Sequence, residues 1–291
     1  MTAFPFGGNI LRLAHARTHA GRMLLDIGAL AEAARVLWPA LSLALGLIVG
    51  SFANVCIHRI PLGESVVSPR SRCPSCRAPI AAADNVPLLS YLALRGRCRH
   101  CGARIAWRYP AVEGANALLY LGVALRDGLS GQAVVDMALV TALLVLSLID
   151  LDHQILPNVI TRPGIALAIA ASFALHGARA ALGSALAAAA GYLAFALVAF
   201  VYRRLRRVEG LGQGDWKLAA MLGAFLGWQK MLLTVFLASL AGTVVGLALM
   251  ALGARDSRQR LPLGTFLGAA GIVALFLGDD LVRWYRGLLP P

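Results

Sequence analysis

The chain has 291 residues, 59% of them hydrophobic and 14% charged, a net charge of +13 and a mean hydropathy of +0.72. Soluble domains carry about 25% charged residues, so an ordinary soluble globular fold is excluded and a multi-span membrane protein is indicated. The basic excess lies mostly between apolar runs, as in cytoplasmic loops that also attract anionic lipid; no aromatic-interleaved basic module points to a nucleic-acid partner.

Residues 1–37 mix Arg12, Arg17, Arg22 and Arg35 with Asp26 and Glu32 and hold no apolar run long enough to span a bilayer. They also lack the continuous apolar centre and small-residue cleavage site of a secretory signal. This stretch reads as an amphipathic or disordered leader, with Met23 as an alternative start. A first transmembrane helix is predicted over 38–58, followed by a polar interruption from Arg59 to Arg108 that holds four of the five cysteines. Seven further spans are predicted at about 109–125, 132–149, 159–176, 180–202, 215–228, 231–253 and 265–281, the sixth of the eight being short. Residues 109–285 would form a transmembrane bundle and 286–291 a C-terminal tail. The expected fold is an all-α polytopic membrane protein of about eight transmembrane helices, with a small cytoplasmic four-cysteine zinc-binding insertion after the first.

The loops set an orientation. The 59–108 segment carries nine Arg against Glu64 and Asp84; a second loop holds Arg203, Arg204, Arg206, Arg207 and Lys217, and a third Arg255, Arg258 and Arg260. With eight spans and the N-terminus outside, all three fall on the cytoplasmic side. Only the basic leader opposes this.

Cys73-Pro-Ser-Cys76 and Cys98-Arg-His-Cys101 are two CxxC pairs separated by 21 residues. Two thiolates three positions apart on a tight turn can share a metal, and two such turns complete a tetrahedral four-cysteine site. A structural zinc held by Cys73, Cys76, Cys98 and Cys101 is expected, with redox cysteines or idle thiols as alternatives; a disulfide is disfavoured in a reducing compartment. His100 is a substitute ligand that four cysteines make unnecessary. Cys56, inside the first span, reads as a packing residue.

Asp150 ends the apolar run 143–149, and Asp215 follows the glycine-rich Gly210-Leu-Gly-Gln-Gly214 at the start of another. A carboxylate at membrane depth costs about 2.5–3.5 kcal/mol and is a functional candidate by default. Two of them on one side of the membrane have the makings of an acid/base pair. Plainer roles remain open: Asp150 could meet lipid headgroups or a nearby Arg, and Asp215 could cap its helix. Asp152 would point to nearly the opposite face from Asp150 if the helix continued, and Pro157 disfavours helix at Leu156. Unwinding is expected between them, with Asp152 and His153 as weaker candidates.

Together these pieces resemble the prepilin peptidases, type IV prepilin leader peptidases that are also N-methyltransferases. The matching motifs, in order, are Gly50-Ser-Phe-Ala-Asn-Val55 with His58-Arg-Ile-Pro61, the two CxxC pairs, Asp84-Asn-Val-Pro-Leu-Leu-Ser-Tyr91, Arg108-Tyr-Pro-Ala-Val-Glu113, Ile149-Asp-Leu-Asp152 with Leu156-Pro157, and Gly212-Gln-Gly-Asp215 with Lys217-Leu218. The resemblance covers about residues 40–280. It implies an inner-membrane enzyme that removes the short basic leader of type IV prepilins and pseudopilins after a glycine at the cytoplasmic face. Asp150 and Asp215 would be catalytic and the four cysteines metal-binding. The same resemblance implies methylation of the new N-terminus, usually a phenylalanine, by S-adenosylmethionine. No glycine-rich nucleotide motif is present, so the sequence does not locate the cofactor, for which the cysteine-bearing segment is the candidate region.

The chain departs from the family pattern at Asn158, where many members are acidic; at Leu261-Pro-Leu-Gly-Thr265, a loose version of Pro-Phe-Gly-Pro; and in its leader. Glu64, Asp84, Glu113 and Glu209 are candidates for meeting a basic substrate leader. Mechanistically, two close carboxylates would share one proton, the ionised one activating water and the protonated one supporting the oxyanion and leaving amine. A proton-coupled transporter with relay aspartates and a non-catalytic, zinc-bearing scaffold of a secretion system are the alternatives.

Overall fold

The computed structural model describes residues 8–207, 212–253 and 261–288. Glu209, the third basic loop (Arg255, Arg258, Arg260) and the last three residues of the expected tail therefore lie outside the described residues. Eight α-helices are described: α1 (Gly8–Arg59), α2 (Leu89–Ala93), α3 (Arg108–Asp127), α4 (Gly131–His153), α5 (Asn158–His176), α6 (Ala178–Arg206), α7 (Gln213–Ala251) and α8 (Leu263–Gly287). Six helical stretches are long and apolar enough to cross a membrane: Glu32–Leu62 and α4 to α8. This makes the protein an all-α, multi-pass membrane protein, as its composition requires. In lipid every backbone N–H and C=O must be satisfied within its own segment, which selects helices.

The expected eight spans map onto these helices unevenly. The short α2 belongs to the insertion, α3 at the expected span 109–125 is not among the six, and α7 holds both expected segments 215–228 and 231–253, because Gly227 breaks it with φ 77° and ψ 167°, a conformation suited to glycine. The chain reverses there. Lys230, just past the break, pairs with Asp279 near the end of α8 (3.1 Å). Gly246 instead lies against Leu261, just before α8 begins. Segment 213–226 is thus a half-length helix of about 21 Å, and 228–251 returns antiparallel to α8. At the N-terminus, α1 is helical from Gly8 and passes residue 37, where the leader was expected to end, without a break.

Small residues bring the helices together. A Cβ at Gly223 would lie 2.4 Å from the Ala187 carbonyl oxygen, and one at Gly191 would lie 2.6 Å from that of Ala219, so α6 and α7 touch backbone to backbone, as membrane helices do in place of hydrophobic driving force. Gly46 and Gly50 seat α1 against Ala117 and Glu113 of α3 in the same way. Buried polar groups tie α1, α3 and α4: Asn116 donates to the Gly46 carbonyl (2.8 Å) and accepts from the Thr141 hydroxyl (2.9 Å). At the other end of α4 from Asp150, buried Asp136 pairs with Arg126 and accepts from Gln132 (2.8 Å). The sequence reading did not anticipate this network.

Gly223→Ala should destabilise the bundle by about 1–3 kcal/mol, as overpacking against backbone does. Gly183→Ala, with open space around it, should not. Unfolding from mixed micelles checks both.

Candidate active site

Asp150 and Asp215 converge at one end of the bundle from elements 65 residues apart in the chain. α4 closes on Gln154, which is left-handed (φ 53°) and donates to the Asp150 carbonyl (2.9 Å). The chain then runs non-helically to Pro157, the N-cap of α5. The unwinding expected ahead of Pro157 is there, although it begins only after His153.

Asp150 is buried, at 5% exposure, yet its carboxylate is not without partners. Oδ2 accepts from the backbone N–H of Thr265 (2.8 Å), whose hydroxyl lies 3.3 Å from the same oxygen and 2.9 Å from the Ser147 carbonyl. Thr265 sits in the first turn of α8, where N–H groups have no intrahelical acceptor. Gly264 makes the approach possible: a Cβ there would sit 2.9 Å from Asp150 Cγ.

Asp215 occupies the third position of α7. Its Oδ2 accepts from the Gly212 N–H (3.1 Å), and its own N–H donates to the Gly212 carbonyl (3.1 Å). Asp215 thus caps the helix start from its third position, the N-cap residue itself being Gly212, and a shared neighbour, Leu156, brings this helix start to the same place as Asp150. Leu156 is wedged between the two strands of backbone, since a Cβ at Gly214 would lie 2.8 Å from Leu156 Cβ and one at Gly264 would lie 2.9 Å from its Cδ1. Gly214 and Gly264 are thus small because Leu156 and Asp150 fill the space.

The weaker candidates are placed elsewhere. Asp152 turns away to pair with Arg108 at the start of α3 (2.6 Å), and His153 is exposed. Asn158 accepts from Lys217 (2.7 Å), joining α5 to α7 beside the aspartates. Sequence reasoning marked Gly264-Thr265 only as a motif departure and missed its contact with Asp150, which spans 115 residues.

In the insertion, Cys73, Cys76, Cys98 and Cys101 place their sulfurs within 4.8 Å of one another, with 3.8 Å between Cys73 and Cys101. Tetrahedral zinc with bonds of about 2.3 Å separates its sulfurs by about 3.8 Å, so the set fits such an ion. The two CxxC turns share one design. Cys73 and Cys98 donate to Ala78 and Ala103 (2.9 Å each), bridges join Arg72 to Pro79 and Arg97 to Arg104, and Arg77 and Gly102 are both left-handed. Backbone N–H groups of Cys76 and Ser75 push the Cys73 thiol down to about 6, whereas Cys101, although it is bonded by the Ala103 backbone, is raised to about 11 by desolvation and by the neighbouring thiols. His100 is exposed and is not among the grouped ligands.

Among the proposed leader contacts, Glu64 is exposed, while Asp84 is held in a two-pronged pair by Arg99 (2.6–3.0 Å). Glu113 accepts the Leu88 N–H (2.9 Å).

Residues 44–126 match the family model described as the bacterial peptidase A24 N-terminal domain, and residues 137–247 match the type IV leader peptidase family. A Pseudomonas aeruginosa protein named prepilin leader peptidase/N-methyltransferase is 41% identical over 268 residues, covering 84% of this chain and 92% of that protein. Relatives with the same name from Myxococcus xanthus and Aeromonas hydrophila are 44% and 38% identical, covering 85% and 82% of this chain and 75% and 90% of their own lengths. No solved structure matches.

Hydrogen bonds from Arg99 hold the Asp84 carboxyl below the usual range. Its folded pKa is depressed, so the pair's contribution is complete above the unfolded value of about 3.9 and is lost as pH falls through the folded one. The difference in melting temperature between wild type and Asp84→Asn should stay constant from pH 8 to about 5 and shrink only below about 4.

Proposed function

This chain belongs to the type IV leader peptidase family, and we propose that it is a membrane aspartic endopeptidase that removes the short basic leader of prepilins and pseudopilins after glycine and then N-methylates the new N-terminal residue. One observation carries the catalytic assignment: Asp150 and Asp215, each at a break in helical backbone, meet at the same end of the bundle. Irregular backbone is tolerated at membrane depth only where protein or water covers it, and here it frames two carboxylates.

In this reading the ionised member of the pair takes a proton from water, and the water oxygen forms a bond to the carbonyl carbon of the scissile glycine. The protonated member gives its proton to the carbonyl oxygen. As the tetrahedral intermediate collapses, the C–N bond breaks and the departing amine takes up a proton, so water is divided between the new carboxyl and amine. The Thr265 N–H fixes Asp150 Oδ2 and so holds the carboxylate at the end of α4. The pH profile belongs to the pair, with two limbs.

The protein would sit in the bacterial inner membrane with the aspartates at the cytoplasmic face. The basic loops support this: the insertion and the Arg203, Arg204 and Arg206 end of α6 lie at the end of the bundle where α4 finishes and α7 begins. Cys73, Cys76, Cys98 and Cys101 would hold a structural zinc, which gives a loop-rich segment the stability that its small core does not. S-adenosylmethionine would supply the methyl group. Neither the transporter nor the scaffold reading finds support in the relatives' names.

Mass spectrometry of a purified prepilin, incubated with membranes holding this protein and S-adenosylmethionine, should show loss of the leader and gain of one methyl group. Asp150→Asn and Asp215→Asn should each lower cleavage at least about 10³-fold while remaining membrane-inserted. Asp152→Asn, which loses only the Arg108 pair, should keep more than about a tenth of it. Full cleavage in either of the first two variants sinks the catalytic pair. Metal analysis should find one zinc per chain, lost together with several degrees of melting temperature in Cys98→Ser. An unchanged metal content there would refute the four-thiolate site.

A further inference from the structure

A cavity of about 440 Å³ lies at the far end of the bundle from Asp150 and Asp215. One wall is the break at Gly227 and the turn after it, Trp228 to Lys230; the other holds Asp279, Arg283 and Arg286 of α8. Spacings of four and three residues put these last three on one helix face. Because α8 starts beside Asp150, at Thr265, its residues 279–286 lie about 21–32 Å further along the axis. A hydrocarbon core is about 30 Å thick, which sets the cavity at the headgroup level of the opposite leaflet. Exposed Trp228, Trp284 and Tyr285 mark the same level, as aromatic side chains do at a membrane interface.

Cations are out of place at this end. The basic loops gather at the aspartates' end, in the insertion and at Arg203, Arg204 and Arg206, yet Lys230, Arg283 and Arg286 converge on this one cavity. Lys230 pairs with Asp279 (3.1 Å) and Arg283 with Asp280. Arg286 has no ion-pair partner among the described residues, so one positive charge is left over. The Arg283–Asp280 side chains are 75% and 68% exposed, and a pair so placed contributes little, so Arg283 can change partner. A cation in the last turn also meets the helix's negative end. That favours Arg286 at this height but not on the cavity face beside Arg283 and Lys230. The turn adds donors, since Trp228, Gln229 and Lys230 begin segment 228–251 and first-turn N–H groups have no intrahelical acceptor. Such N–H groups and Arg forks together suit phosphate oxygens.

We propose that this cavity binds the phosphodiester of an anionic membrane lipid from the leaflet opposite the aspartates. One monoanionic phosphodiester balances the one charge left over, and its oxygens accept from Arg283, Arg286 and the turn. Leu232 and Leu277, two residues further into the bilayer on each helix, offer exposed apolar surface to its chains. Inorganic phosphate has the same oxygens without the chains, and a zwitterionic lipid carries its own cation beside the phosphate. A lipid held here braces the turn that ends the Asp215 segment against α8.

The test uses full-length protein in micelles of an uncharged detergent, with native mass spectrometry reading bound lipid. Phosphatidylglycerol should bind, and Arg283→Gln/Arg286→Gln should weaken it at least about tenfold. Arg203→Gln/Arg204→Gln, which removes cations at the other end, should leave the tightest-bound lipid unchanged. Phosphatidylglycerol with a diazirine in its headgroup should label wild-type peptides from 226–232 or 277–288, a result that needs no variant. Melting temperature reports whether the variants are folded. Labelling confined to other segments, or unweakened binding in folded Arg283→Gln/Arg286→Gln, overturns the site. Equal binding of phosphatidylcholine overturns the selection for charge, and displacement of the lipid by equimolar inorganic phosphate overturns the lipid as occupant. None of these outcomes depends on cleavage or methylation.

Discussion

Unpaired backbone is too costly to leave in hydrocarbon, and that constraint shapes the end of the bundle where Asp150 and Asp215 lie. Three interruptions meet there: residues 154–157 after α4, Gly212 before α7 and Pro262 before α8. Each new helix begins with N–H groups that have no intrahelical acceptor. The two aspartates take some of them, Asp215 from Gly212 within its own helix start and Asp150 from Thr265 across the bundle. The carboxylates thus do structural work as helix caps. The positive ends of two helices in turn support their charge. Asn keeps a side-chain oxygen able to accept these bonds and Ala does not, so Asn variants separate chemistry from folding and Ala variants confound them.

The same constraint explains the close packing around the site. Convergence of α4, α7 and α8 with non-helical backbone between them leaves no room for side chains at Gly214 or Gly264, and Leu156 and Asp150 occupy the space a Cβ would take. Further along, α6 and α7 approach through Gly191 and Gly223. The turn at Gly227 returns the chain after a half-length helix, so Asp215 rides on a segment whose start packs on Leu156 through Gly214 and whose far end turns just before the Lys230–Asp279 pair.

Much of this was legible in the sequence for local reasons. Apolar runs marked the helices, and the expected division between 215–228 and 231–253 falls where Gly227 breaks α7. CxxC spacing gave the grouped sulfurs, and charge at membrane depth gave Asp150 and Asp215. The rest depends on contacts between distant segments, where composition carries no signal. Thr265 meets Asp150 across 115 positions, Leu88 meets Glu113 across 25 and Lys217 meets Asn158 across 59. Asp136 was passed over because its partner Arg126 sits on the preceding helix and cancels a charge that looks isolated on α4.

The Arg108–Asp152 pair joins the start of α3 to the last turn of α4, the helix that carries Asp150. Asp152 lies two residues from Asp150 and so points to a different face of the helix, which lets one carboxylate tie α4 to α3 while the other turns inward towards Thr265. Its ion pair gives Asp152 a part in fixing how these helices meet, one that needs no share in proton transfer.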